Sequence, residues 1–321
     1  MALKRVELDL FIYDGIVETD KPSTPDYQIN KARIETHSKI TLEIGELIRD
    51  QFNITFNDDY ISHTKWVEAD VNYFDDADQP FTYSNPQKFQ YLALDGYGYF
   101  EEGTNPELQR HALISSDNIY LPEGTAGKLP IFAEGVGKVT IDSSDTQITD
   151  NGNTNQKIQY ITIPADSSTI QVYDTDDTTL LKTITVTNIC EPKFTNYKIT
   201  FVNKYGAFQD FYVFKKTSEN LNVTTDLFKR NIIANSTSTY QTYEGQRERY
   251  NVNGKTKLST NTGFIKENMN KTVEELFLSE NVWIRYENKT LPIIPVSQSL
   301  NIKTSLNDKL IQYTIEVEDA N

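Results

Sequence analysis

Tyr197-Lys198-Ile199-Thr200-Phe201-Val202-Asn203 and Asp210-Phe211-Tyr212-Val213-Phe214-Lys215-Lys216 flank the turn Lys204-Tyr205-Gly206-Ala207. Apolar and polar residues alternate through the first stretch, and a glycine sits in the turn. That pattern predicts a β-hairpin with one buried face. The buried candidates are aromatic: Tyr197, Phe201, Phe208, Tyr212 and Phe214. Lys198, Lys204, Lys215 and Lys216 read as the solvated outer face of the same hairpin. No catalytic motif accompanies these residues. Abundant sheet without chemistry is the theme of the whole chain.

The 321 residues suffice for two or three domains, since single cores stop growing at roughly 250–300 residues. Apolar residues at 37% exclude wholesale disorder, and 19 Tyr with 16 Phe against 2 Met favour pleated, half-buried surfaces. A net charge of −15 argues against attraction to nucleic acid or an anionic membrane, both of which need clustered Lys and Arg. One cysteine, Cys190, rules out an internal disulfide framework and reads as a buried structural thiol. The opening Met-Ala-Leu-Lys-Arg-Val-Glu-Leu-Asp-Leu alternates like a strand and lacks the unbroken apolar run of a signal peptide. The expectation is a soluble protein made in a cytoplasm.

Along the chain, residues 3–14 put Leu8, Leu10 and Ile12 on one face and Glu7, Asp9 and Phe11 on the other. Prolines mark a turn at 19–25, and further strands are expected at 27–34, 63–74 and 89–100, where Gly96 and Gly98 signal a bulge or close packing. Ile44, Leu47, Ile48 and Phe52 recur at helical spacing. A short helix at 106–113 and closing strands at 119–121 and 129–132 complete a first β-sandwich over residues 1–135. Residues 142–156 carry a single apolar side chain. They read as a long exposed loop between strands at 139–141 and 157–163, with an interdomain linker as the other reading. Strands at 170–173 and 180–186 follow, joined by a turn at Asp176-Asp177. This second small unit covers 136–188. The third, 189–321, begins with the aromatic hairpin. In it, 223–232 reads as a capped turn or short helix, and 272–278 as a helix with a Thr272/Glu275 capping box. Its closing strand sets Ile311, Tyr313, Ile315 and Val317 on one face. The fold class is therefore mainly β: tandem antiparallel sandwiches of fibronectin- or immunoglobulin-like layout with a few short helices.

Chemistry is sparse. His37, His63 and His111 are not at metal-ligand spacing from one another or from Cys190. Asp75-Asp76-Ala77-Asp78 and Asp174-Thr175-Asp176-Asp177 are acidic turns without the glycine and glutamate positions of an EF-hand. Gly96-Tyr97-Gly98 does not lead into a helix as a dinucleotide loop must, and Glu101-Glu102-Gly103 reads as an exposed turn. No catalytic residue, metal ligand or cofactor is assigned. The functional candidates are aromatic side chains suited to an interface: Trp66, Tyr97, Tyr99, Tyr240, Tyr243 and Tyr250, which bring rigid area at low entropic cost.

The segment from Cys190 through Asp210, continuing into Phe214-Lys215-Lys216, resembles structural proteins of tailed bacteriophages, notably marine and Bacteroidetes-infecting ones. Residues 278–282 and 303–315, with Asp95-Gly96-Tyr97-Gly98-Tyr99-Phe100 and the opening strand, are similar in the same way. The resemblance implies a non-enzymatic virion component of the neck, tail or baseplate. Its partners would be other virion proteins and copies of itself, with no nucleic acid and no membrane. The rival expectations are an adhesin or capsid decoration protein that binds a host-surface glycan, and a glycan-depolymerising enzyme.

Overall fold

The computed structural model describes residues 3–34, 37, 39–81, 86–97, 112–191, 193–233, 239–296 and 310–320. It is mainly β. β1 (Leu3–Tyr13), β2 (Tyr27–Ala32), β3 (Thr64–Asp75) and β4 (Gln87–Leu94) form an antiparallel sheet in the order β2-β1-β3-β4. Register places Leu8 opposite Val71, Leu10 opposite Ala69 and Ile12 opposite Val67, so the alternating apolar sets meet on one face. Residues 40–48 cover that face. There Gly45–Arg49 forms the short helix α1, and Ile44, Leu47 and Ile48 pack on the sheet as their spacing predicts.

The opposite face of this sheet is not the solvated surface that alternation suggests. Phe11, Tyr13 and Glu68 are buried on it. Glu68 accepts a hydrogen bond from the Tyr13 hydroxyl and pairs with Lys21 at 3.1 Å, while Lys21 also reaches Asp70 at 3.0 Å. A buried carboxylate is tolerated here because a cation and a hydroxyl both serve it.

The middle of the chain contributes β5 (Asn118–Pro122), β6 (Gly127–Phe132), β7 (Lys138–Ile141), β8 (Ser144–Gln147), β9 (Ile158–Ile163), β10 (Thr169–Tyr173) and β11 (Leu180–Ile189). A five-stranded sheet runs β5-β11-β10-β7-β8, and β6 pairs with β9. The turn between β10 and β11 holds Asp177 at φ 59°, as its sequence suggests. Three expectations are corrected here. The strands at 119–121 and 129–132 do not close the first sheet: β5 pairs with β11 and β6 with β9. The β5–β11 pair is parallel, whereas the rest of that sheet is antiparallel. And 139–141 and 157–163 are not partners across a loop, because β7 turns tightly at Asp142-Ser143 into β8, while β9 belongs with β6.

Residues 149–156 then dock on the first sheet. The Asn155 side chain is 2% exposed, donates to Asp14 Oδ1 at 2.9 Å and accepts from Gly15 N at 3.2 Å. Ile16 and Thr154 form a β-bridge. Most of residues 142–156 is exposed, as expected, but Thr154 and Asn155 make a hydrogen-bonded seam with the first sheet.

The last part holds β12 (Tyr197–Val202), β13 (Phe208–Val213), β14 (Ser218–Lys229), β15 (Arg247–Asn261), β16 (Ile265–Lys266), α2 (Asn270–Leu278), β17 (Val282–Tyr286), β18 (Lys289–Pro295), β19 (Leu310–Ile311) and β20 (Thr314–Asp319). A seven-stranded sheet follows the order β13-β12-β17-β18-β20-β15-β14. The hairpin β12–β13 forms as the sequence predicts, with Val202 opposite Phe208. It is buried on both faces, however. Ile199, Phe201, Phe211 and Val213 enter the large core that also holds Val139, Ile170 and Ile184 of the middle sheet. Val202 and Phe208 join Phe56 and Trp283 on the other side. Lys198 is consequently no solvated lysine: it is half-buried, paired with Asp58 and donating to the Tyr60 hydroxyl at 3.0 Å.

The turn of this hairpin is itself clamped. Asn203 is fully buried; its Nδ2 donates to Leu113 O at 2.7 Å, and its Oδ1 accepts from Tyr205 N and Ala207 N. Gly206 adopts φ 75°, and a Cβ on Gly96 would lie 2.4 Å from Lys204 O. The close packing that Gly96 signals is thus an approach of two backbones.

Two further expectations fail in this region. Residues 223–232 supply most of the long strand β14, not a helix. In α2 the capping residue is Met269, without a side-chain cap. Thr272 and Glu275 are instead buried inside the helix, where Ser115 Oγ donates to Glu275 Oε1. The apolar stripe of Val273 and Leu276 is buried as read, and so are Ile311, Tyr313, Ile315 and Val317. The helix expected at 106–113 falls mostly outside the described residues; Ala112 bridges to Ile131.

Candidate functional site

β15 is bonded to β20 only from Lys257 to Asn261. From Arg247 to Thr256 its described partner is β14 alone, so ten residues of β15 and the matching part of β14 project as a two-stranded ribbon, about 33 Å long at strand rise. The strands persist there because both carry unbroken pairing, apart from a bulge where Asn251 takes φ 49°. An isolated two-stranded ribbon is marginal in water. This one also carries apolar side chains that nothing among the described residues covers. Leu221 is 65% exposed, and Val223, Leu227 and Val252 are exposed with it. Phe228 and Tyr250 meet edge-on at 5.8 Å, and both are exposed as well.

The ribbon collects half of the aromatic candidates. Tyr250 lies on β15, and Tyr240 and Tyr243 lie in the connection between β14 and β15, Tyr243 at 82% exposure. The structure places the others elsewhere. Trp66 is half-buried and its Nε1 donates to Asn153 O at 3.1 Å, so it serves the internal seam. Tyr97 is half-buried with its hydroxyl on Glu275 O at 3.3 Å. Tyr99 lies outside the described residues. Leu221, Val223, Leu227 and Val252 were missed. Their signal was the alternation Leu221-Asn222-Val223, overridden by reading Thr224-Thr225 as a helix start.

A second feature is a cleft of about 600 Å³ between residues 58–62, the β6–β9 pair and the Lys198/Asp210 face of the hairpin. Tyr60 Oη donates to Asp210, 2.6 Å from Oδ2, and Thr200 Oγ1 donates to Asp210 Oδ1 at 2.7 Å. Burial pushes the Asp210 carboxyl up, against the attraction of Lys198 and these two hydrogen bonds. Burial also raises the Tyr60 and Tyr212 hydroxyls. Lys128 reaches Thr162 Oγ1 at 2.9 Å, Gln159 donates to Thr149 O at 2.7 Å and Asn151 to Gln156 O at 3.0 Å. The polar groups lining the cleft are largely committed to one another. Such a network ties three parts of the chain together and leaves few donors pointing at a ligand.

The remaining candidates are dispersed. Cys190 is exposed, not buried, and the neighbouring Glu123 raises its thiol. His63 packs edge-on against Phe208 at 5.2 Å, where burial lowers its imidazole; His111 lies outside the described residues. Asp78 pairs with Lys4 and Arg5, and Asp176 caps its own turn through Thr178 N and Thr179 N. Among the described residues no three His, Cys, Asp or Glu side chains converge as metal ligands. No helix of the described residues is long and apolar enough to cross a membrane. No protein-family model matches the chain, and no curated protein or solved structure matches it.

Proposed function

We propose that this chain is a non-enzymatic structural component of a tailed-phage virion, in its neck, tail or baseplate, and that it works by holding neighbours. The observation that carries an assembly role is the projecting ribbon of β14 and β15, with Leu221, Val223, Leu227, Phe228 and Tyr250 in water. Exposed apolar edges of this length are an aggregation hazard unless a partner covers them. The virion itself enters through the sequence resemblance around residues 190–216 and 303–315. The glycan-binding alternative has less support, because the cleft beside Tyr60 and Asp210, large enough for a sugar, spends its polar groups internally.

Mass spectrometry of purified, dissected particles tests the reading. The chain is expected in the neck, tail or baseplate fraction at fixed stoichiometry. Its absence from particles, or glycan turnover abolished by a single carboxylate substitution, would end it.

A further inference from the structure

We infer that the ribbon's partner is the acidic body of a second copy of this chain. This rests on the assembly reading above and names the occupant that reading leaves open. Glu219 stands opposite Leu258, which stands opposite Val317, a core residue of the seven-stranded sheet. Leu221, Val223 and Leu227 follow Glu219 by twos along β14, so they extend the core-facing side of that sheet beyond the core it covers. The exposed stripe is therefore core surface by construction, without a second layer among the described residues.

Charge selects the occupant. Residues 218–261 carry six Lys and Arg against four Asp and Glu, a balance of +2; the chain total of −15 leaves −17 on all the other residues. The excess cations sit beside the stripe. Lys229 lies directly opposite Arg247, and Leu227 opposite Arg249. Like charges facing across a ladder are destabilising. None of these three has an ion pair among the described residues, whereas Arg230 takes Glu248 at 2.8 Å. Two ribbons side by side would oppose cation with cation. A ribbon on another copy's body brings these cations to an excess of carboxylates, and steers the encounter between bodies that otherwise repel. Such a contact joins unlike surfaces: copies that add head to tail build rings or filaments, and a reciprocal exchange of ribbons closes a dimer.

Sedimentation velocity on the full chain, from about 1 to about 100 µM, reads this directly. Wild type is expected to self-associate as concentration rises, weakening at least tenfold when salt goes from about 0.05 to about 0.5 M, because screening shortens the reach of the cations. The Lys229→Glu/Arg247→Glu/Arg249→Glu variant is expected to stay monomeric. Its melting temperature should be unchanged, since these side chains are exposed. Cross-linking of a mixture of isotopically light and heavy protein should join ribbon residues of one copy to acidic residues of another. A wild type that stays monomeric overturns the inference, as does a closed dimer with ribbon-to-ribbon cross-links. A triple variant that still assembles overturns it too. Binding of duplex DNA by wild type that the variant loses would assign the cations to another partner, which also sinks it. A monomer that is nonetheless built into particles overturns the self-partner alone; a monomer absent from particles removes the assembly reading as well.

Discussion

Glu275 shows how a buried ionisable side chain shapes stability. Burial pushes its carboxyl up against the hydrogen bond from Ser115 and the charge of Lys204, so the folded protein holds its proton more tightly than the unfolded chain does. The stability this provides is complete below the ordinary carboxylate range and is lost as pH rises through the raised folded value. Glu275→Gln is expected to flatten that slope: wild type should gain on the variant as pH falls from about 7 to about 4 in urea titrations. Identical pH profiles would refute it. Thr272, fully buried and with its hydroxyl unpartnered among the described residues, yields a second test. Thr272→Val should leave stability unchanged or raise it by about 1 kcal/mol, since an unmade hydrogen bond is deleted; a true helix cap would lose about 1 kcal/mol. Asn155→Ala should cost about 1–3 kcal/mol, because it leaves the buried Thr64 carbonyl without its amide donor and unpairs Gly15 N and Asp14. None of these roles was legible in sequence. Thr272-x-x-Glu275 matches a capping box letter for letter, and only tertiary burial shows that the helix starts at Asn270. Gly96 and Gly206 were legible, because few reasons exist for glycine beside a tight turn.

At the scale of elements, the alternating strands were readable wherever one face is buried: β1, β3, β10, β12 and β20 appear near their expected places. The failures share a cause. β14 has almost no buried residue, so nothing in its burial enforces alternation, and Thr224-Thr225-Asp226 imitates a helix start. The β12–β13 hairpin reads as one-sided in sequence because Lys198 looks solvated, yet Asp58 pairs with it, and Tyr60 accepts from it and donates to Asp210. The ribbon invites its own measurement. Phe228→Ala is expected to change the free energy of unfolding by less than about 1 kcal/mol, because the ring is exposed and touches mainly Tyr250. The same change should weaken binding to neighbours by about tenfold or more, as for an aromatic interface anchor. A variant that loses stability instead of binding would make the ribbon a folding element.

Across the whole molecule, one hydrophobic core runs from Ala112 to Val317, joining the middle sheet to the seven-stranded one. The units expected at 136–188 and 189–321 share that core, so the chain between 112 and 317 should unfold as one cooperative block. Ile184→Ala, in the middle sheet, is expected to cost about 2–5 kcal/mol and to lower hydrogen-exchange protection in β12 and β20 equally. Loss of protection confined to β7, β10 and β11 would contradict it. This sharing was illegible because members of the one core such as Val139 and Phe201 are 62 residues apart in sequence, beyond any local pattern. The order of the seven-stranded sheet has a consequence for synthesis. β15 enters that sheet through β20, whose residues 314–319 leave the ribosome well after those of the ribbon. A nascent chain therefore has a sticky hairpin with no fixed aim until translation passes β20. On the self-association inferred above, assembly waits for chains translated through β20, and a chain cut short before residue 314 carries its ribbon without an anchor in the sheet.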